Sequence, residues 1–170
     1  SVRTLREEKE ITDKMEVILK VQDVDATYTG EENVLEEINL TIRRGRTVAL
    51  VGESGSGKST LARVITGLLP ATKGSISFLG QNLPLELKNR DKNSLRRLQM
   101  IYQSPDTALN PKQTVRTVIG RPLAFYFGIT GQKAEDRIRD LLTRIELDPD
   151  NYLYRLTTEL SGGEKQRICI

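Results

Sequence analysis

The stretch Gly52-Glu53-Ser54-Gly55-Ser56-Gly57-Lys58-Ser59-Thr60 fits the pattern G-x4-G-K-[S/T], between the apolar run Thr47 to Val51 and a helical stripe. No other feature constrains the fold as strongly, because such a loop works only as the joint between a strand and a helix. Its glycines let successive backbone N–H groups turn inward as a nest for phosphate oxygens. The helix that follows points its positive N-terminal end at the same place. Lys58 is placed to reach β- and γ-phosphates, the Ser59 hydroxyl to ligate the Mg²⁺ that bridges them, and Thr60 to sit nearest the α-phosphate. The pattern implies that a nucleoside triphosphate is bound. At average residue usage it arises by chance in under about one chain in a hundred of this length. The alternative, a glycine-rich turn with a surface lysine, leaves both flanks unexplained.

Those flanks are legible without the motif. Val48, Leu50 and Val51 form a short apolar run, the expectation for a strand buried on both faces of a parallel sheet. Leu61, Val64, Ile65 and Leu68 fall at i, i+3, i+4 and i+7, one stripe of a helix, before Pro70 forbids continuation.

Composition agrees with such a domain. The chain has 170 residues, 37% hydrophobic and 29% charged, which fits one globular unit. No apolar run approaches the ~20 residues that span a bilayer. The segment Arg3 to Lys14 is charged, unlike a signal peptide. A single cysteine, Cys169, excludes an internal disulfide, and the absence of histidine argues against a zinc site. A cytoplasmic location is therefore expected. The net charge of +3 is spread among acidic neighbours with few interleaved aromatics, so no nucleic-acid partner is expected.

Residues 1–14 read as a polar linker or extension, in a chain that begins without methionine. Val17, Leu19, Val21 and then Ile38, Leu40, Ile42 alternate with their neighbours as two strands, joined through the polar turn Tyr28 to Asn33. Ser75 to Leu79 and Leu98 to Tyr102 read as further strands, with a short helix at Ser94 to Arg97 before the second. From Thr114 the pattern turns helical. Its best case is Ala134, Ile138, Leu141, Leu142 and Ile145 along one face, ended by Asp148-Pro149.

A second motif, Leu160-Ser161-Gly162-Gly163-Glu164-Lys165-Gln166-Arg167, places a hydroxyl and two glycines at the opening of a helix. Alone it reads more readily as a plain N-cap at Ser161 than as a ligand site. With the phosphate loop upstream in the same order, the chain resembles the ATP-binding cassette (ABC) ATPases, whose signature reads LSGGQ. The resemblance runs from about Val17 to Ile170. It implies a P-loop NTPase fold of ABC type, α/β, with a parallel core sheet, an antiparallel β subdomain and an inserted helical subdomain. Residues 15–170 are then a partial nucleotide-binding domain, with the helical subdomain at roughly 104–160. The cofactors implied are ATP and Mg²⁺.

The resemblance also assigns roles. Gly52, Glu53, Ser54, Gly55, Ser56, Gly57, Lys58, Ser59 and Thr60 hold the nucleotide. Tyr28 matches the aromatic that stacks on adenine, where the residues alone suggest only an edge aromatic. Gln103 matches the glutamine that approaches Mg²⁺ and the attacking water; read alone it is an exposed loop amide. Ser161, Gly162, Gly163 and Glu164 would meet the ATP of a second ATPase subunit, in a homo- or heterodimer. Glu164 departs from the commoner glutamine and adds charge there.

Gln103-Ser104-Pro105-Asp106-Thr107-Ala108-Leu109-Asn110-Pro111 is similar to the corresponding loop of dipeptide and oligopeptide importers. The function implied is an ATPase coupled to uptake of peptides or related solutes. It would sit peripherally on the cytoplasmic face of the cell membrane, against transmembrane permease subunits and, through them, a solute-binding protein. The family's Walker B aspartate and glutamate and its switch histidine are expected after the signature helix and do not occur in these residues. The chain is accordingly read as a fragment of such a subunit, or of one half of a tandem subunit, without its general base. Two alternatives share both motifs: a soluble ABC ATPase acting on DNA or ribosomes, and a nucleotide-binding fragment without turnover.

Overall fold

The computed structural model describes residues 3–4 and 15–170. Apart from Arg3 and Thr4, the expected polar linker lies outside the described residues. The backbone divides into two compact units, Ser1–Met100 and Ile101–Ile170.

The first unit contains strands β1 (Arg3–Thr4), β2 (Val17–Ala26), β3 (Leu35–Arg43), β4 (Leu50–Val51), β5 (Lys73–Phe78) and β6 (Gln81–Asn82), with helices α1 (Lys58–Thr66) and α2 (Lys92–Arg97). Four strands form a sheet in the order β3-β2-β5-β6, and β1 pairs with β4. Every strand pairing among the described residues is antiparallel.

Alternation buries Leu19 and Val21 and then resumes at Val24 and Ala26, an odd step that strict alternation forbids. A register shift between Val21 and Val24 supplies it, with Asp23 at φ 49° and its N–H donating to Asn39 Oδ1 at 3.1 Å. The inner face thus stays apolar along the whole strand. It packs with Leu35, Leu40 and Ile76 of the sheet and with Leu61 and Val64 of α1.

Three sequence expectations fail here. The run at Val48 to Val51 is not buried on both faces: only Leu50–Val51 is strand, and Val51 is 43% exposed. Leu98 to Tyr102 forms no strand, and Ile101 is 54% exposed. A strand needs a neighbour for its N–H and C=O groups, and no described segment pairs with these residues. Leu68 does not complete the helical stripe, because Gly67, at φ 82°, ends α1 before it.

The second unit is helical: α3 (Val115–Phe127), α4 (Gly131–Arg144), α5 (Pro149–Tyr152) and α6 (Gly162–Cys169). Thr114 caps α3 by accepting the Thr117 N–H at 3.3 Å. Ala134, Ile138 and Leu142 are the buried face of α4, as their spacing predicts. Ile138 and Leu142 join a core that includes Val115, Leu123, Leu147, Leu153 and Leu160. Asp148-Pro149 does not end α4, which stops at Arg144. It starts α5 instead, with Asp148 accepting the Asp150 N–H at 3.1 Å and Pro149 in the first turn, where its missing N–H costs nothing.

Candidate functional site

The nine residues from Gly52 to Thr60 form a loop that enters α1 without a side-chain cap. Gly55 and Gly57 lie at φ 81° and 93°, a region that L side chains avoid. Gly57 is also tightly seated: a Cβ there would stand 2.8 Å from Leu35 Cδ2 and 3.3 Å from the Val34 carbonyl oxygen. The first helical hydrogen bond runs from Leu61 N–H to Gly57 O at 2.8 Å. The N–H groups of Lys58, Ser59 and Thr60 therefore have no acceptor among the described residues. Three donors at the positive end of a helix, beside a fixed ammonium, suit a polyanion.

That ammonium is held in place. Lys58 Nζ donates to Gly52 O at 2.7 Å, Glu53 O at 2.5 Å and Ser56 Oγ at 3.0 Å, so the side chain folds back across its own loop. Neutral acceptors leave its charge uncompensated. Ser59 follows with an exposed hydroxyl, a hard oxygen donor of the kind Mg²⁺ prefers. Among the described residues no group of three or more His, Cys, Asp or Glu forms a metal cluster. The residues present thus fit ATP, and fit Mg²⁺ with Ser59 as ligand.

Tyr28, at the start of the turn from β2 to β3, reaches this site. Its hydroxyl lies 3.2 Å from Thr60 Oγ1 and accepts from Arg63 Nη1 at 3.3 Å, while the ring is 52% exposed. A tyrosine tied at its hydroxyl offers a fixed ring face for stacking. Arg63 has no signal in the sequence beyond its position one turn after Ser59.

Gln103 belongs to the second unit and is exposed, directly after the stretch where a strand was expected. In the same unit Ser161 caps α6, accepting the Glu164 N–H at 3.3 Å, while Glu164 Oε2 accepts the Ser161 N–H at 2.8 Å. Gly162 and Gly163 are exposed, with nothing within 4 Å of the place a Cβ would take. The other carboxylate oxygen, Oε1, accepts from Tyr152 Oη at 2.6 Å. This bond, then that from Ser161 N–H, holds the Glu164 carboxyl below its usual range, and the same partnership raises the Tyr152 hydroxyl above its own. Both carboxylate oxygens of Glu164 are thus held within the chain, one of them by a tyrosine 12 residues earlier that no local pattern flags.

Residues 35–170 match the family model described as ABC transporter. A protein of Brucella abortus (strain 2308) described as a peptide import ATP-binding protein is 42% identical over 156 residues, covering 88% of this chain and 46% of that protein. The nickel import ATP-binding protein NikE of Brucella suis biovar 1 (strain 1330) is 40% identical over 142 residues, covering 84% and 53%. The chain spans about half the length of these relatives. Among solved structures, the dimeric structure of MJ0796, a bacterial ABC transporter cassette, aligns with TM-score 0.70 at 28% identity over 90% of this chain and 67% of that one. The same cassette in a post-hydrolysis state with ADP and Pi aligns with TM-score 0.68 at 27% identity, over 89% and 67%.

Proposed function

The chain belongs to the ABC transporter family, whose model spans its residues 35–170, and from that premise we propose that it is the ATP-binding part of an importer's energy-coupling subunit. The observation that carries this reading is the loop from Gly52 to Thr60, with outward N–H groups at the helix end and the Lys58 ammonium fixed beside them. Lys58 meets the β- and γ-phosphates, the loop amides cradle the rest, and Tyr28 takes the adenine face. ATP supplies the phosphoanhydride whose cleavage drives transport, and Mg²⁺ neutralises its charge. Ser59 would ligate that Mg²⁺ through its hydroxyl.

Ser161, Gly162, Gly163 and Glu164 complete the site of a second copy or a related subunit. Two such subunits clamp two nucleotides and move the permease between access states. The peptide reading is supported by the Leu109-Asn110-Pro111 continuation after Gln103 and by the relative described as a peptide import ATP-binding protein. The NikE relative makes nickel the second candidate. The subunit sits on the cytoplasmic face against the permease, with a solute-binding protein beyond it.

The test is uptake in the source cells after Lys58→Ala at the native locus, using radiolabelled dipeptides and radiolabelled nickel. Loss of one uptake, with protein level unchanged, supports the importer and names its solute class. Normal uptake of both, alongside a defect in DNA repair or translation, overturns it in favour of a soluble ATPase.

A further inference from the structure

Arg90 is 5% exposed, yet it carries a charge and has no carboxylate partner among the described residues. Its guanidinium donates through Nη1 to Ile65 O at 2.6 Å, through Nη2 to Val64 O at 3.5 Å, and through Nε to Pro84 O at 2.9 Å. Ile65 and Val64 are in the last turn of α1, the helix whose first turn closes the phosphate loop. The final carbonyls of a helix have no partner within it. Here Arg63 O is met by Leu69 N–H at 3.2 Å and Val64 O by Gly67 N–H at 3.1 Å. Ile65 O has Arg90 alone among the described residues.

Gly67 makes this approach feasible. At φ 82° it ends the helix, and a Cβ there would meet Arg90 Cζ at 2.9 Å. The helix is therefore bracketed by two glycines of positive φ, Gly57 seated on Leu35 and Gly67 seated on Arg90. A planar fork with several donors suits this place, since it holds two carbonyls of α1 and one of the Pro84 segment at once. Its charge also complements the negative end of the helix. Burial lowers the guanidinium below its ordinary value, but arginine stays protonated far above neutrality.

We propose that Arg90 is a positioning residue for the phosphate loop: by clamping the last turn of α1 to the Pro84 segment, it fixes the direction in which the first turn presents Lys58, Ser59 and Thr60 to phosphate. The proposal rests on reading that loop as a nucleotide site. It assigns a ligand-binding role to a residue that touches no ligand, about 13 Å away along a nine-residue helix.

The test measures Mg-ATP and adenosine binding by calorimetry for the wild type, Arg90→Met, Arg90→Lys, Lys58→Ala and the double variant Lys58→Ala with Arg90→Met. Measurements are made at a temperature where melting curves show each protein fully folded, so that lost stability alone leaves the Kd unchanged. Arg90→Met is expected to weaken Mg-ATP about five- to tenfold, a partial transmission of a lost charged hydrogen bond, and to leave adenosine binding as it was. Arg90→Lys, which reaches fewer acceptors at a time, falls between. In the Lys58→Ala background the effect of Arg90→Met shrinks, because the two act through the same contact.

Equal Mg-ATP affinity in both Arg90 variants, with Lys58→Ala still impaired, overturns the proposal while sparing the nucleotide reading. No loss in Lys58→Ala sinks that reading itself. If Arg90→Met does not fold, Arg90→Lys decides by the same comparison: weakened Mg-ATP with unchanged adenosine supports the clamp, and wild-type affinity overturns it.

Discussion

Replacing Gly57 by alanine tests how the phosphate loop is seated. Two costs follow from the structure. The residue sits at φ 93°, and holding an L side chain in the left-handed region costs about 1–2 kcal/mol. Its new Cβ would stand 2.8 Å from Leu35 Cδ2 and 3.3 Å from the Val34 carbonyl oxygen, and Leu35 is a core residue, 1% exposed. Overpacking of this sort costs about 1–3 kcal/mol, so the total is about 2–5 kcal/mol. Gly55→Ala is the control, because Gly55 has φ 81° but nothing within 4 Å of the Cβ position. It should lose only the first part, about 1–2 kcal/mol. Urea unfolding of the three proteins, with comparable slopes, gives the two differences. If Gly57→Ala proves as stable as Gly55→Ala, the loop is not seated on Leu35 and the argument fails.

Tyr28→Ala should weaken binding of an ATP analogue by about 1–3 kcal/mol, the range for an aromatic stacked on a base, while leaving inorganic triphosphate binding unchanged. Ser161→Ala should cost about 0.5–2 kcal/mol in a melt of the second unit, since it removes the acceptor for Glu164 N–H. Stability should also fall in acid. Asp91, held by Ser94, and Glu164, held by Tyr152, titrate below their ordinary values when folded. Their contribution is therefore present above the unfolded carboxylate value and lost as pH falls through the lower folded one, below about pH 4. Tyr152→Phe should return the Glu164 titration, followed by NMR, toward the ordinary value and flatten that acid limb.

The parts of the fold that local chemistry dictates were legible in the sequence. Alternation at Val17 to Val21 and Ile38 to Ile42 found β2 and β3, and the stripe at Ala134, Ile138 and Leu142 found α4. The bulge at Asp23 was not legible, because nothing local announces the odd step that keeps Val24 inside. Leu98 to Tyr102 has the composition of a strand but no pairing segment among the described residues, and pairing is a tertiary fact. At the site, the loop announced itself through its glycines and lysine. Its supports did not. Arg63 and Arg90 look like any other basic residue in a chain of 26 lysines and arginines, and only three-dimensional contact distinguishes them.

The central claim is that the loop from Gly52 to Thr60 holds the phosphates of ATP, with Lys58 as the principal charge. Calorimetric titration of Mg-ATP into the wild-type chain and into Lys58→Ala tests it most directly. The account predicts saturable binding by the wild type and at least a tenfold weaker Kd in the variant, about 1.4 kcal/mol or more. Equal affinities in the two proteins, or no binding by a folded wild type, would contradict it.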